Sequence, residues 1–234
     1  MLIKLLSFIL LIFINSLNDT LEKVLERAKK YNIKFNINKL QYCVSEVKYL
    51  GVIFNKNGMS PDPEKISSIK ALSSPKNKTE LQQIMGLINY LRNFIPNLAE
   101  LTAPFRELLK KNTKWQWTES HEKSLDILKQ IICSRQVLAA FDEKMPIDIQ
   151  CDASRDAVGC CILQNGKPVS FASRCLSDAE VQYAQIEKEL LAITFACNRF
   201  HYYIYGHQNV NIYTDHMPLL SIINKSINTI KTTG

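Results

Sequence analysis

The stretch that decides the fold has the sequence IDIQCDAS and occupies residues 147–154. Apolar and polar side chains alternate along it, which is the pattern of a strand with one buried face. Asp152 stands at the end of this predicted strand, where α/β folds often place their ligands. On its own the acid is weak evidence for a site, because many strands end in a carboxylate that caps a turn.

The residues that follow predict a mixed sheet packed by helices. A tight turn is predicted at Asn165 and Gly166, between the second and third strands. Strands and helices follow in the order β-β-β-α-β-α, which favours an α/β (α+β) domain. The elements after the first strand are predicted over residues 157–164, 168–172, 180–200, 210–214 and 218–224.

Two further acids stand where they can meet Asp152. Asp215 follows the predicted strand 210–214, so two strands of one sheet each end in Asp. Glu189 lies in the predicted helix, and at about 100° per residue it falls on the apolar face, whereas Glu187 points nearly the opposite way. The apolar residues within about 60° of Glu189 on that helix are Ile186, Ile193, Ala196 and Phe200.

Three carboxylates from strand, helix and strand together favour a cation site. A buried carboxylate without a partner is costly, and a shared cation removes that cost. Two Mg²⁺ ions about 4 Å apart, with Mn²⁺ as an alternative, can activate a water and stabilise the leaving oxygen in phosphodiester cleavage. The other interpretations are two unrelated turn aspartates, a mis-phased helix at Glu189, and a buried Glu189 paired with a cationic side chain.

Upstream of this sheet the pattern is mainly helical. Short strands are predicted over residues 34–37 and 47–54. Thr79 is expected to cap one of the helices. Trp115 and Trp117 lie in a short extended piece, and we expect them to anchor a core rather than to stack on bases.

Five short segments follow one another in a characteristic order. They are CDAS at 151–154, VGCCIL at 158–163, FASRCL at 171–176, EKELLA at 187–192 and YTDH at 213–216. Their order and sequence resemble the RNase H segment of gypsy-type LTR retrotransposon Pol polyproteins. The resemblance implies that Asp152, Glu189 and Asp215 are the first three members of a four-carboxylate metal site. It also implies an enzyme of the reverse transcriptase and ribonuclease H classes.

The resemblance extends upstream through the polymerase part of such polyproteins. Residues 49–53, YLGVI, are similar to the hairpin that grips the primer end, and residues 85–97, MGLINYLRNFIPN, are similar to the thumb. The implied segments are an apolar start at 1–14, the C-terminal palm of a reverse transcriptase at 15–72, a helical thumb at 73–112, a connection at 113–145 and a truncated RNase H-like domain at 146–234.

The sequence departs from the family pattern near both ends. The family's polymerase site contains Tyr-x-Asp-Asp, but the corresponding residues 5–8 are LLSF. We therefore expect no polymerase activity from this chain alone. The family's RNase H domain continues with a strand and a helix that carry a fourth Asp, whereas this sequence ends at Gly234. We expect such a shortened sheet to expose an apolar edge.

The charge of the chain suits a polyanionic partner. Lys and Arg total 29 against 22 Asp and Glu, for a net charge of +7. The resemblance favours an RNA–DNA hybrid or duplex, held through phosphates without a sequence code. The other interpretation is a solvated basic face. The residues predicted to bind nucleic acid are Tyr49, Leu50, Gly51, Lys76, Lys78, Arg92, Arg106, Lys110 and Lys111.

Cysteine usage and the first residues bear on the compartment. Seven cysteines, with no CxxC pair among them, predict reduced thiols in a cytoplasmic or nuclear protein. Residues 1–14, MLIKLLSFILLIFI, resemble a signal-peptide core and are too short to span a bilayer. A buried strand and helix start is the favoured interpretation. We expect no small-molecule cofactor and no stable membrane association.

Three functions remain open from the sequence. The leading one is a module of RNase H ancestry that binds a hybrid and, if active, hydrolyses its RNA strand. The second is a catalytically dead nucleic-acid binder, which would bind hybrids in a salt-dependent way without Mg²⁺. The third is a relic without function, which would show a broad, non-cooperative thermal melt.

Overall fold

The computed structural model describes residues 14–41, 44–134 and 137–216 of the chain. These ranges hold a helical unit with a small antiparallel sheet, followed by a four-stranded mixed sheet packed by helices. The polymerase position at 5–8 and the predicted helix 218–224 lie outside the described residues. No helix within the described ranges is long and apolar enough to cross a membrane.

The first described elements are a helix and a small sheet. Strands β1, β2 and β3 pair in chain order, and both pairs are antiparallel. The elements are α1 (Ile14–Lys30), a 3₁₀ helix (Ile37–Lys39), β1 (Glu46–Tyr49), β2 (Val52–Asn55) and β3 (Gly58–Pro61).

Two strand predictions in this part are wrong. Residues 34–37 form no strand, because Asn36 Oδ1 accepts a hydrogen bond at 3.0 Å from the backbone N–H two residues ahead and turns the chain. The predicted strand 47–54 is two strands. Leu50 and Gly51 have φ angles of 48° and 67°, and they close the turn between β1 and β2.

Five α-helices and one 3₁₀ helix follow the small sheet, before the four-stranded sheet, in the described part of the chain. Asn77 caps the second of them, since its Oδ1 accepts from the backbone N–H of Glu80 at 2.9 Å. The predicted cap at Thr79 is therefore wrong, because the helix already begins at Lys78. The elements are α2 (Pro63–Lys70), α3 (Lys78–Tyr90), a 3₁₀ helix (Arg92–Phe94), α4 (Leu98–Leu101), α5 (Ala103–Leu109) and α6 (Glu119–Cys133).

One apolar core holds this helical unit together. Leu81 of α3, Phe105 of α5 and Leu128 of α6 are fully buried in it. Trp115 and Trp117 pack against the same core, as predicted, and the Trp117 ring stacks on Phe105 with 5.6 Å between ring centroids. Burial of such aromatic surface contributes strongly to stability.

The second sheet has the predicted mixed topology. Its strand order is β6-β5-β4-β7, with the first three strands antiparallel and β7 parallel to β4. Helix α8 packs on β4 and β5 through Ala192 and Ala196, and Phe200, the residue after the helix, joins the same core. The elements are β4 (Ile147–Ala153), β5 (Ala157–Gln164), β6 (Lys167–Cys175), α7 (Asp178–Val181), α8 (Gln185–Arg199), α9 (His201–Ile204) and β7 (Val210–Tyr213).

The helical unit lies against the second sheet. Helix α4 contacts β5 and β6, and the 3₁₀ helix Arg92–Phe94 contacts β6. The buried N–H of Ala99 donates to Ser173 Oγ at 2.9 Å across this contact. The loop that leads into α4 also places Asn97 Oδ1 beside Gly159 of β5. The two units therefore share a packed interface next to strands β5 and β6.

Candidate metal centre

The fold brings the three predicted carboxylates together. Asp152 is the penultimate residue of β4, and Asp215 follows β7 by two residues. Because β4 and β7 are parallel, both acids lie at the same edge of the sheet. Glu189 reaches that edge from α8, and one oxygen of each carboxylate lies within 4.8 Å of the other two. Their catalytic role remains a prediction.

Glu189 is the buried member of the cluster. Its side chain is 3% exposed, whereas Asp152 and Asp215 are exposed. Burial raises the pKa of the Glu189 carboxyl above its usual range. The negative charges of Asp152 and Asp215 raise it further, while a hydrogen bond from Gln185 and the nearby His216 oppose the rise.

Gln185 orients Glu189, and the sequence analysis missed it. The Gln185 amide Nε2 donates at 2.8 Å to Glu189 Oε1 and at 2.8 Å to the carbonyl oxygen of Ala153. It therefore ties the first turn of α8 to the end of β4. The signal that was available is the spacing of four residues, which places Gln185 and Glu189 on one helix face.

The geometry leaves one carboxylate oxygen without a partner. Glu189 Oε2 is buried and has no hydrogen bond within the described part of the chain. Oxygen ligands from several carboxylates are what hard divalent cations prefer. A divalent cation shared by Asp152, Glu189 and Asp215 would satisfy this oxygen and offset the repulsion among the three charges. The residues present thus fit a metal ion.

His216 adds a second unsatisfied atom beside the cluster. Its Nδ1 is buried and lacks a hydrogen-bond partner among the described residues. Its backbone N–H donates to Thr214 Oγ1 at 3.2 Å, which holds the Thr-Asp-His turn. Buried polar atoms without partners are uncommon in folded proteins, and a catalytic role or a bound ion is one of the few explanations for them. The two unpaired atoms found among the described residues, Glu189 Oε2 and His216 Nδ1, both lie at the carboxylate cluster.

A groove opens beside the carboxylates. It has a volume of about 500 Å³ and runs between the second sheet and the loop at Pro96 and Asn97. Asp152 and Asp215 line it, together with Tyr213. Asn97 adopts a left-handed conformation with a φ of 51°, which aims this loop at the sheet. The contribution of the loop was not foreseen, because no local pattern links it to β4.

The structure divides the residues predicted to bind nucleic acid into small groups. Lys78 Nζ donates to the carbonyl oxygen of Lys110 at 2.5 Å, and Lys110 also pairs with Glu107 at 2.7 Å. Lys76 and Lys111 are exposed.

The remaining predicted residues lie in two places. Tyr49, Leu50 and Gly51 form the turn of the first hairpin. Arg92 and Arg106 line one cavity next to β6. Their contacts with nucleic acid remain predictions.

The strand order, the parallel β4–β7 pair and the carboxylate cluster define an RNase H-like domain. A family model described as "RNase H-like domain found in reverse transcriptase" matches residues 117–212. Residues 117–212 therefore contain an RNase H-like domain of the kind found in reverse transcriptase, as the sequence motifs predicted.

Two curated relatives extend the similarity over most of the chain. The retrovirus-related Pol polyprotein from transposon 297 of Drosophila melanogaster is 35% identical over 218 residues, covering 90% of this chain and 20% of that protein. The transposon Tf2-3 polyprotein of Schizosaccharomyces pombe is 34% identical over 206 residues, covering 86% and 16%. The chain is thus a homologue of transposon Pol polyproteins and spans a fifth or less of the length of these relatives.

Solved structures with the same fold come from foamy virus. The foamy viral protease-reverse transcriptase in complex with an RNA/DNA hybrid is 25% identical, with a TM-score of 0.74 over 86% of this chain and 28% of that chain. A structure of the same enzyme with double-stranded DNA gives a TM-score of 0.67 at 25% identity, over 82% and 34%. The predicted fold class, a reverse transcriptase and RNase H-like assembly of helices and mixed sheets, is confirmed.

Proposed function

We propose that this chain is a nuclease module that binds an RNA–DNA hybrid and hydrolyses the RNA strand. The observation that carries the proposal is the convergence of Asp152, Glu189 and Asp215, with Glu189 Oε2 buried and unpartnered within the described residues. The sequence contains no Tyr-x-Asp-Asp motif, so the proposal covers the nuclease step and no polymerase step.

The three carboxylates would hold two Mg²⁺ ions, or Mn²⁺ in their place. When bound, two such ions activate a water and stabilise the leaving oxygen of a phosphodiester. The chain's own residues do the positioning. Gln185 fixes one oxygen of Glu189, so that the other oxygen is available to a cation. Asp152 and Asp215 carry their charges to the wall of the groove, where the substrate would enter.

Two observations support a hybrid as the substrate. A structure with the same fold holds an RNA/DNA hybrid, and this chain shares its arrangement over 86% of its length. The net charge of +7 also suits a polyanion. Contacts from Arg and Lys to phosphates are independent of sequence, which fits a nuclease that must act along a whole hybrid.

The test is cleavage of a labelled RNA–DNA hybrid by the purified chain in Mg²⁺ or Mn²⁺. Asp152→Asn removes one ligand charge and should lower the rate by at least about 100-fold, as expected for loss of a metal ligand. Asp156→Asn is the matched control, because Asp156 lies in the exposed turn after β4 and outside the cluster. Cleavage that persists in Asp152→Asn at the wild-type rate would show that the site assignment is wrong.

A second candidate function is that of a nucleic-acid-binding module without nuclease activity, and folded protein that binds hybrids without cleaving them would indicate it. It is favoured by the cavity next to β6, where Arg92 and Arg106 supply positive charge that does not depend on the carboxylates. Such a module would bind equally well in EDTA and in Mg²⁺. Binding that requires Mg²⁺ would instead support the nuclease.

A further inference from the structure

A cavity of about 220 Å³ lies between the helical unit and the edge strand β6 of the second sheet. Three arginines line it, and each comes from a different element. Arg92 belongs to the second 3₁₀ helix, Arg106 to α5 and Arg199 to the last turn of α8. We call it the arginine cavity. Its other lining residues are Asn89, Leu98, Phe171, Ala172, Ser173 and Phe195.

The positive charge of the arginine cavity is not compensated within the described part of the chain. None of the lining residues is acidic, and none of the three arginines makes an ion pair there. Arg106 donates a hydrogen bond to the Cys175 sulfur and, within the described residues, to no carboxylate. The neighbouring Arg174 differs, because both of its terminal nitrogens bind the Glu180 carboxylate, at 2.7 and 2.8 Å.

Three like charges that share one cavity repel each other unless an anion joins them. Part of the wall is apolar, formed by Phe171 and Phe195, so the field of the arginines is focused into the cavity. Guanidinium groups present planar pairs of N–H donors that match the oxygens of a phosphate. Ser173 Oγ accepts from Ala99, which leaves its own O–H able to donate to such a ligand.

We propose that the arginine cavity binds one backbone phosphate of the nucleic acid, an inference that rests on the proposed function. Arg199 follows Glu189 by ten residues on α8, about 15 Å along the helix axis. This separation exceeds the distance between neighbouring phosphates on one strand, so the arginine cavity would hold a different phosphate from the one at the scissile bond. The site joins Arg199, which no sequence motif indicated, to Arg92 and Arg106.

The test measures hybrid affinity as a function of salt in EDTA, so that cleavage does not interfere. Arg199→Gln should weaken binding by about 3–10-fold and lower the slope of log K against log salt by about 1, because one phosphate contact is lost. Arg92→Gln should act in the same way. Lys123→Gln is the control with the same charge change, since Lys123 is exposed on α6 and pairs with Glu119.

A second measurement needs no nucleic acid. Melting temperatures are compared in sodium phosphate and in sodium chloride of equal ionic strength. Phosphate stabilises folded proteins in general because it is excluded from their surface, so the informative quantity is the difference in the Tm rise between variants. The rise should be larger for the wild type and for Lys123→Gln than for Arg199→Gln. Arg199 is exposed and makes no ion pair in the described ranges, so Arg199→Gln should melt like the wild type in chloride.

The outcomes separate this inference from the proposed function. Wild-type affinity and salt slope in both Arg199→Gln and Arg92→Gln would overturn the inference while leaving hybrid binding intact. Failure of the wild type to bind any hybrid, in EDTA and in Mg²⁺ alike, would overturn the proposed function. If no hybrid binds, a phosphate-dependent Tm rise that is larger in the wild type than in Arg199→Gln would identify free phosphate as the ligand and exclude a backbone phosphate.

Discussion

Glu189 carries an energetic cost that its protein neighbours relieve only in part. Gln185 satisfies one carboxylate oxygen, but the other is buried with no partner in the described part of the chain. Asp152 and Asp215 add repulsion, and the pKa of Glu189 is raised. A group of this kind is retained where a ligand needs it, since stability alone favours its removal.

At the scale of single residues, the first prediction concerns the stability of Glu189→Gln in EDTA. Glu189→Gln should raise the free energy of unfolding at pH 7 by an amount on the order of 1 kcal/mol, or about 2–4 °C in Tm. The folded-state pKa is raised, so the carboxylate destabilises the fold above that pKa and no longer does so below the unfolded pKa. The difference in the free energy of unfolding between Glu189→Gln and the wild type should therefore vanish below about pH 4.

The same variant should lose the response to metal. Mg²⁺ should raise the Tm of the wild type, since a ligand that binds the folded state stabilises it, and should leave Glu189→Gln unchanged. Glu187→Gln is the control, because Glu187 is exposed and only caps the N–H of Ala184. A lower Tm of Glu189→Gln in EDTA would show that the carboxylate is satisfied in the apo protein.

At the scale of elements, the sequence predicted what is encoded locally. The strand 157–164 is found as predicted, because its apolar run ends at a turn in which Asn165 and Gly166 have φ angles of 52° and 70°, a conformation that these two residue types favour. The short strand β3 was missed. It forms because Gly58 brings the chain against the backbone of Leu138, a contact between residues 80 positions apart that no local pattern encodes.

One ion pair fastens two elements near the arginine cavity. The Arg174 guanidinium on β6 binds Glu180 of α7 and lies over the Phe195 ring at 5.8 Å. The hydrogen bond from Arg174 lowers the pKa of Glu180 to about 2, and bonds from Ser177 act in the same direction. The pair thereby anchors the segment that leads into α8.

This pair gives a prediction with a defined pH range. Glu180→Gln should lower the free energy of unfolding at pH 7 by about 1 kcal/mol, a value discounted for partial exposure. Because the folded pKa is depressed, the stabilisation is complete above the unfolded pKa of about 4.5 and is lost as pH falls towards about 2. Urea unfolding at several pH values should show the difference between the two proteins shrinking over that range.

An exposed pair on α6 provides the comparison. Glu119 and Lys123 lie 2.8 Å apart with both side chains largely exposed, so Glu119→Gln should change stability by less than about 0.5 kcal/mol. Equal losses in Glu119→Gln and Glu180→Gln would mean that the Arg174 pair has no special role. A loss in Glu180→Gln that is constant from pH 7 to pH 2 would contradict the depressed pKa.

At the scale of the whole molecule, the interface between the two units is what the sequence did not reveal. The loop at Asn97 reaches Gly159 of the second sheet, 62 residues further along the chain. Arg92 and Arg199 line the same cavity although 107 residues separate them. Periodicity predicts which face of a helix is apolar, but it does not predict which distant strand covers that face. The arginine cavity and the wall of the groove both depend on this packing.

The interface predicts that the two units unfold together. Trp115 and Trp117, the two tryptophans of the chain, pack in the helical unit, so fluorescence reports that unit alone. Ser173→Ala in β6 leaves the buried N–H of Ala99 without its acceptor, which should cost about 1–2 kcal/mol. The urea concentration at the midpoint of the fluorescence transition should therefore fall, although Ser173 lies in the second sheet and the tryptophans lie in the helical unit.

Thr194→Ala separates coupling from a general effect of changing the second unit. Thr194 is exposed on α8 and its hydroxyl bonds the carbonyl oxygen of Leu190 in the same helix, so this change removes no contact with the helical unit. The free energy of unfolding that fluorescence reports should stay within about 0.5 kcal/mol of the wild-type value. If Ser173→Ala shifts the circular dichroism transition but not the fluorescence transition, the units unfold independently, and the interface is too weak to hold the arginine cavity together.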